Sequence, residues 1–388
     1  MDHRFIVSER VEPAFSPLLC LTIVLSMSSP IPDTIVIGGG IIGASIAWKL
    51  ARTGFRVTLV DAGSMGGEAS WAGAGMLAPG GEIVSHEPWL DLALESMRDY
   101  PDFVAQLEAE SGVIIDYRVC GGIDVAYDDA GWQALESRGE QQQALGIQST
   151  ALDRQALREL IPLFDRECAG ALYYPDDTLV DPRDVMRALA IACRSAGVEI
   201  REAWRATAIH VTQHSVIVAS QAERLHAPSA VLAAGAWSTG IPISGTALPP
   251  LPPAFPVKGM LTSYALEPGV LNPILRYGHT YVLQRSKGFT IAGTTSDKVG
   301  FDRSVNAHSV DDITSRVCDL WPRLRQHKPQ AAWVGFRPGA DSPGPVIHRA
   351  GDSGLWLSYG HYRNGILLAP VTARLLTESI LASAAPAT

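Results

Sequence analysis

The sequence has few charged residues and no run of positive charge. Charged side chains make up 18% of the 388 residues, and the formal net charge is -9. No basic stripe is interleaved with aromatic residues, as proteins that bind nucleic acid usually require. We therefore expect no nucleic-acid partner. Hydrophobic residues make up 47% of the chain, which supports a large buried core and argues against disorder.

Cysteine is scarce and scattered, and the sequence lacks a metal-binding pattern. The five cysteines are odd in number, and none has C-x-x-C spacing. This distribution disfavours a disulfide framework and a zinc site, and it fits a reducing, cytoplasmic compartment. His210 and His214 have the spacing of a helical ligand pair, but they lie in a strand-like run at 209–218. We expect no bound metal.

The chain also lacks a hydrophobic run that predicts a membrane span. The apolar stretch PLLCLTIVL at 17–25 is far shorter than the roughly 20 residues that cross a bilayer. We interpret residues 1–30 as an extension before the first strand. Because Met27 begins an ordinary start, MSSPIPDTIVIGGG, residues 1–26 are best explained as a start-site artefact, and a targeting segment is the second interpretation.

What the sequence does contain is a glycine cluster between two apolar strands. Residues 34–43 read TIVIGGGIIG, so Gly38, Gly40 and Gly43 have G-x-G-x-x-G spacing between a β-branched run and a helical pattern at 44–52. In this motif the first glycine permits a tight turn and the second lets the backbone approach a pyrophosphate. The third lets the helix pack on the strand. The phosphates then lie at the positive helix N-terminus.

A second predicted strand, at 56–60, ends in Asp61. An acidic side chain about 20 residues after the glycines holds an adenosine ribose and disfavours a 2′-phosphate, so NADP is the least expected dinucleotide. A simple glycine turn and a capping aspartate would explain each feature singly. They would not explain the order strand, glycines, helix, strand and acid. The sequence therefore predicts a dinucleotide-binding fold.

The remaining pattern predicts a return to this sheet and a second sheet. The stretch 63–81, rich in glycine and alanine, is typical of a loop that contacts a flat cofactor. A helix with Asp181 as its side-chain cap and Pro182 at its first position, followed by a strand at 198–201, predicts that the chain returns to the dinucleotide-binding sheet. Strands at 259–264, 280–284 and 289–293 predict an antiparallel sheet. Further predicted elements are a helix at 88–111 broken or kinked at Pro101, strands around a Gly121-Gly122 turn within 113–127, helices at 132–146, 153–160 and 310–321, strands at 230–238 and 354–358, and a last helix from about 366.

Three residues could bind a small anionic substrate. Arg337 precedes a proline, Arg363 lies just before the last helix, and Tyr281 adds a hydroxyl group in a strand. A guanidinium group binds a carboxylate bidentately. Taken singly, each arginine is more often explained by a structural or surface ion pair.

Several segments together change this balance. VIGGGIIGASIAWKLARTG, GSMGGEASWAGAGML, PVKGM, GFRPG and GHYRNGILLAP resemble the FAD-dependent glycine oxidase family of thiamine biosynthesis, a branch of the D-amino-acid oxidase superfamily. The likeness covers about residues 33–381. It implies an α/β fold with a Rossmann-type FAD-binding domain and a second, antiparallel-sheet α+β substrate domain. The FAD-binding domain would comprise 31–84, 180–240 and 335–388, and the substrate domain 85–179 and 241–334.

The resemblance also implies site residues. Tyr281 and Arg337 would hold the substrate carboxylate, and Arg363 would line the same site. The implied FAD contacts, some through the backbone, are Gly38, Gly40, Ile41, Ile42, Gly43, Asp61, Ala62, Ala69, Ser70, Ala74, Gly75, Met76, Ala208, His361, Tyr362, Arg363, Asn364, Gly365, Ile366 and Leu367. No catalytic base is assigned, because orienting the amine for hydride transfer to flavin supplies most of the catalysis.

The implied activity is oxidation of glycine, and of sarcosine or small D-amino acids, to the imine. O2 would be reduced to H2O2, and the imine would feed thiazole formation for thiamine. The alternatives are a D-amino-acid dehydrogenase that passes electrons to a quinone or carrier, and a dinucleotide-binding protein without redox turnover.

Glu68, Trp71 and Thr294 depart from the family pattern, so the substrate range is open. The electron acceptor and the oligomeric state, including a homo-oligomer, are open as well.

Overall fold

The computed structural model describes residues 31–83 and 87–384. Its α-helices are α1 Ile41–Arg52, α2 Ala69–Ala72, α3 Pro79–Glu82, α4 Leu90–Ser111, α5 Asp129–Ala144, α6 Arg154–Leu160, α7 Pro182–Ser195, α8 Ala307–Leu320 and α9 Gly365–Ala384. Short 3-10 helices cover Gly235–Gly240 and Pro322–Gln326. The prediction for residues 1–26 lies outside the described residues.

The strands are β1 Thr34–Ile37, β2 Val57–Val60, β3 Met76–Leu77, β4 Tyr117–Val119, β5 Gly122–Ala126, β6 Thr150–Leu152, β7 Gly170–Tyr174, β8 Thr178–Val180, β9 Glu199–Arg201, β10 Ala208–Val211, β11 Val216–Ala219, β12 Arg224–Ala227, β13 Ser229–Leu232, β14 Ile243–Gly245, β15 Ala254–Ala265, β16 Ile274–Tyr277, β17 Thr280–Gln284, β18 Phe289–Gly293, β19 Ala331–Ala340, β20 Val346–Arg349 and β21 Leu355–Tyr359.

Six strands form a mainly parallel sheet in the order β20, β21, β13, β1, β2, β9. Ile35 in β1 lies between Ala230 in β13 and Thr58 in β2. β9 returns beside β2, as the sequence predicts, and of the six strands β20 runs antiparallel to its neighbour. Every residue of β1 and β2 is buried, which is typical of parallel strands covered on both faces.

Helices α1, α4, α7 and α9 pack with one face of this sheet, where Trp48, Tyr100 and Leu376 are fully buried. α4 continues through Pro101 for 22 residues, so a break there is wrong, while the predicted kink stays a prediction. Buried side chains on both sides of the proline, Tyr100 and Phe103 among them, hold the helix in the core and outweigh the local cost of proline. α9 is long and apolar enough to cross a membrane, yet 61% of its most apolar window is buried, as in a core helix.

The other face of the parallel sheet packs on a four-stranded sheet ordered β12, β11, β10, β14. The predicted single run at 209–218 is wrong, because Thr212 and Ser215 form a turn between β10 and β11. His210 shares a hydrogen bond of 3.0 Å with Ser244 Oγ. In residues 31–83 and 87–384 no group of three potential metal ligands is found.

Eight strands form a second sheet in the order β19, β15, β18, β17, β16, β5, β7, β6. It is antiparallel except between β16 and β5, and β17 and β18 have the predicted bounds. α8 packs on it through Ile313 and Val317. The strands β4 and β5 do not pair with each other across Gly121, since β4 pairs with β8.

The division into two domains stays a prediction, and two elements bear on its boundaries. β19 belongs to the eight-stranded sheet, but it extends to Ala340, past the predicted boundary at 335. α4, which was predicted in the substrate domain, packs with the helices of the parallel sheet. The packing of an amphipathic helix depends on distant partners, which a local pattern does not identify.

Candidate cofactor and substrate site

A cavity of 790 Å³ lies at the carboxyl ends of the parallel strands. Ile37, Val60, Ala233 and Tyr359, which end or directly follow β1, β2, β13 and β21, line it. Ligands of open parallel sheets bind in this crevice. The cavity continues to the eight-stranded sheet, where Tyr281 and Arg337 are among its walls. One continuous space therefore joins the predicted cofactor and substrate residues.

The turn between β1 and α1 shows which of its glycines the backbone requires. Gly38 has a φ of 109°, and a Cβ atom there would lie 2.4 Å from the Ala233 carbonyl oxygen. A Cβ atom on Gly43 would lie 2.0 Å from the Gly38 carbonyl oxygen, so this glycine lets the helix approach the turn. Gly40 has an ordinary φ of -68°, and its Cβ position is 3.3 Å from Ser70 Oγ. Gly40 thus faces the cavity without being required for the turn itself.

Asp61 holds the loops on either side of this turn. Its Oδ2 atom accepts a hydrogen bond of 2.7 Å from Gly39 N, and Oδ1 accepts one of 2.7 Å from Gly63 N. Burial raises the pKa of Asp61, while the two backbone donors act in the opposite direction. A carboxylate has about four acceptor positions, so this side chain can still accept hydrogen bonds from ligand hydroxyl groups.

The stretch 63–81, here called the glycine-rich loop, lies along the cavity with small side chains. Ala69, Ala74 and Gly75 line it, and Ser70 Oγ accepts a hydrogen bond of 2.9 Å from Ile41 N at the start of α1. Gly75 has a φ of 88°, and a Cβ atom there would lie 1.9 Å from the Val180 carbonyl oxygen. The loop is therefore fixed against β8 while its backbone faces the cavity.

The segment before α9 forms another wall. His361 is 3% exposed, and its Nε2 atom lies 3.1 Å from Thr372 Oγ1. Burial lowers the pKa of His361 to about 3, so the imidazole is neutral at neutral pH. Asn364 and Gly365 line the cavity where α9 begins. The positive end of this helix dipole therefore faces the cavity.

Arg337 of β19 is held at the wall formed by the eight-stranded sheet. Its Nη2 atom donates to Thr294 Oγ1 at 2.9 Å, and Nη1 donates to the Thr295 carbonyl oxygen at 3.1 Å. The guanidinium group lies over Gly259, where a Cβ atom would come within 2.4 Å of Nη1. Tyr281, 6% exposed, pairs with Gly293 directly before Thr294. Tyr281 and Arg337 are thus connected through the end of β18.

Most of the predicted site residues line this one cavity, including Tyr281, Arg337 and Arg363. Gly43, Ala208 and Leu367 are not among the lining residues. Gly43 lies beneath the turn, Leu367 belongs to the hydrophobic core, and Ala208 follows the lining residue Thr207. The FAD contacts and substrate roles of all the predicted residues stay predictions.

The cavity also contains residues that sequence reasoning did not select. They include Trp204–Thr207 after β9, Ala234–Trp237 after β13, Gly259, Glu68 and Arg303. The run of small residues after β13 is a local signal that sequence analysis can recognise, since small side chains let the backbone approach a cofactor. Arg303 has no such signal, because its partner Glu68 is 235 positions away.

Comparison with known proteins agrees with this geometry. The model of the DAO family, described as FAD dependent oxidoreductase, matches residues 33–379. The chain is 33% identical over 358 residues to the bifunctional protein ThiO/ThiG of Synechocystis sp., covering 90% of this chain and 51% of that protein. It thus spans about half the length of the bifunctional relatives that it matches. The glycine oxidase of Geobacillus kaustophilus is 30% identical, with 90% of this chain and 92% of that protein covered.

The solved structures show the same likeness. The glycine oxidase of Bacillus cereus superposes with a TM-score of 0.84 at 28% identity, covering 91% of this chain and 96% of that chain. The residues described above fit FAD, because a glycine turn, an acidic strand end and a loop of small residues share one cavity. The chain belongs to the DAO family of FAD-dependent oxidoreductases, and FAD is its cofactor.

Proposed function

We propose that this protein is a glycine oxidase. It oxidises glycine, and with lower preference sarcosine or small D-amino acids, to the imine, while O2 is reduced to H2O2. The imine would feed thiazole formation for thiamine. The family match and the relatives named glycine oxidase support the reaction class. The bifunctional name of the Synechocystis relative supports the link to thiazole synthesis.

The observation that carries the proposal is that Arg337, Tyr281 and the start of α9 line one cavity. A guanidinium group and a phenol hydroxyl are suited to bind an α-carboxylate. Thr294 and the Thr295 carbonyl oxygen orient the guanidinium group, so its donors are arranged before substrate arrives. Arg363 lines the same cavity and completes the proposed set of substrate residues.

When bound in this cavity, FAD would supply the hydride acceptor for oxidation at the substrate α-carbon. Gly38, Gly40 and Asp61 would hold its dinucleotide part, while the segment from His361 to Ile366 would lie against the flavin. The N-terminus of α9 would stabilise negative charge on the reduced ring. Arg337 and Tyr281 would orient the substrate, and orientation of this kind removes about 7–11 kcal/mol of an activation barrier in well-aligned systems. His361 stays neutral and holds its hydrogen bond to Thr372.

The test is oxygen consumption and peroxide release by the purified yellow protein with glycine, sarcosine and D-alanine. We expect peroxide in stoichiometric amounts, with glycine giving the highest kcat/KM. If substrate bleaches the flavin without air and air barely restores its colour, the dehydrogenase alternative replaces the oxidase. If no substrate bleaches the flavin, the protein is a binding protein without turnover.

The proposal includes a cytoplasmic enzyme acting on free amino acids. Among the described residues the cysteines 120, 168, 193 and 318 are all free thiols, which agrees with a reducing compartment. Fractionation of cells that express the full chain tests this placement. Recovery of the activity in the membrane fraction would contradict it.

A further inference from the structure

We propose that Arg316, on α8, is a positioning residue for the substrate carboxylate. It lies on the face of the eight-stranded sheet opposite to the cavity. There it contacts the strand that carries Tyr281 and the segment with Thr294, which holds Arg337. This inference rests on the proposed function, since it concerns the same carboxylate site. No sequence motif indicated Arg316, because α8 reads as an ordinary amphipathic helix.

Arg316 reaches both strand segments with one guanidinium group. Its Nη1 atom donates to Thr280 Oγ1 at 2.8 Å, and its Nη2 atom donates to the Thr294 carbonyl oxygen at 3.2 Å. Neighbouring side chains of a strand point to opposite faces of a sheet. Thr280 therefore faces α8 while Tyr281 faces the cavity. The arginine fixes β17 from the face opposite to the substrate.

The second contact leads directly to Arg337. Thr294 donates its hydroxyl hydrogen to the Met260 carbonyl oxygen at 3.0 Å and accepts a hydrogen bond from Arg337 Nη2 at 2.9 Å. Because Arg316 holds the carbonyl group of the same threonine, a shift of Thr294 would move the Arg337 fork. Besides the pairing of Tyr281 with Gly293, Arg316 is thus a second link between the segments that position Tyr281 and Arg337.

Arg316 is itself fixed from its own helix. Asp312, one turn earlier, accepts a hydrogen bond from Arg316 Nε at 3.0 Å, and the same carboxylate oxygen lies 3.0 Å from Nη2. The side chain is 33% exposed, so the ion pair alone adds little stability. The ion pair matters more for geometry. Because the guanidinium group is planar, a carboxylate that holds one edge of it fixes the direction in which the other edge donates.

The test compares Arg316→Met and Arg316→Lys with Arg325→Met as the control. Arg325 follows α8 and forms an exposed ion pair with Asp319 of that helix. It contacts neither Thr280 nor Thr294. Each variant is purified with FAD and analysed for flavin content, thermal unfolding and steady-state kinetics with glycine. Acetate, a carboxylate without an amine, is titrated while the flavin absorption spectrum is recorded.

We expect Arg316→Met to raise the KM for glycine and the Kd for acetate by the same factor, about tenfold, with kcat within about twofold and flavin content unchanged. Arg316→Lys should recover part of this loss, because an ammonium group can reach one of the two acceptors. Arg325→Met should match the wild type.

If Arg316→Met changes only the unfolding temperature, with KM and Kd equal to those of the control, the inference is overturned. If the wild type does not oxidise glycine but binds acetate in an Arg316-dependent manner, the proposed function fails and the inference stands. If acetate leaves the wild-type spectrum unchanged, there is no carboxylate site for Arg316 to organise, and the inference fails.

Discussion

Glu68 and Arg303 form a bidentate ion pair at the edge of the cavity. Arg303 Nη2 lies 2.7 Å from Glu68 Oε1, and Nη1 lies 3.1 Å from Oε2. The pair joins the glycine-rich loop to the segment 297–306. Phe301 of this segment also stacks on Trp237, with their ring centroids 4.7 Å apart. Both charged side chains are substantially exposed, at 60% for Arg303 and 44% for Glu68.

Because both side chains are exposed, we expect the substitution Glu68→Gln to have only a small effect on FAD binding. Exposed pairs contribute about 0–1 kcal/mol, so we expect FAD to bind at most about fivefold more weakly at low salt. The difference from the wild type should vanish near 1 M NaCl, where charges are screened within about 3 Å. Titration of apoprotein with FAD, followed by flavin fluorescence, measures it. The exchanged pair Glu68→Arg with Arg303→Glu serves as the control and should restore affinity, and a salt-independent loss would contradict this explanation.

The second prediction concerns Arg337→Ala. The carboxylate would lose a charge-assisted partner, so the KM for glycine should rise about 100-fold while FAD stays bound. Arg337→Lys keeps the charge without the fork and should lie between the alanine variant and the wild type. Initial rates and the ratio of flavin to protein absorbance give both quantities. Unchanged glycine kinetics in the alanine variant would remove Arg337 from the substrate site.

The third prediction separates two glycines of one turn. Gly40→Val should fold and lose FAD, because Gly40 has an ordinary φ and its added side chain would enter the cavity. Gly38→Ala should instead destabilise the fold by at least about 1–2 kcal/mol, since a positive φ strains any other residue. Thermal unfolding and flavin content distinguish the two variants. A fully yellow Gly40→Val protein would refute the pyrophosphate assignment.

The fourth prediction is a pH dependence from His361. Because its folded pKa is lowered to about 3, the neutral folded state is favoured above the unfolded pKa of about 6.5, and this contribution is lost as pH falls. The wild type should lose about 1.4 kcal/mol of unfolding free energy per pH unit below about 6.5 from this group alone. His361→Gln should show a shallower decline in urea unfolding between pH 7 and pH 5. Parallel curves for the two proteins would show that His361 is not buried in its neutral form.

The cofactor end of the site could be predicted from the sequence because its signals are local. The strand before Gly38, the acid at Asp61 and the helix cap at Asp181 each lie within a few residues of the element that they define. Asp181 accepts a hydrogen bond of 2.9 Å from Arg183 N at the start of α7, as predicted. The bounds of β17 and β18 follow from β-branched runs between turn residues in the same way.

The pairing of strands was less predictable. The pattern around Gly121 indicates two strands and a turn, which is correct, yet β4 pairs with β8 while β5 pairs with β7 and β16. A strand pattern defines which face is apolar and not which neighbour it meets. The continuity of α4 was not predictable for the same reason: core contacts with residues distant in sequence outweigh the local effect of Pro101.

The sequence by itself determined the glycine turn, the acid that follows β2 and the arginines of a type suited to a carboxylate, because spacing and residue type define these features locally. Only the tertiary structure decided that Glu68 meets Arg303 and that Arg316 reaches both Thr280 and Thr294. These contacts join residues far apart in the chain, and their formation depends on how the sheets and α8 pack. Packing is a cooperative property of the whole core, so no single segment of the sequence contains it.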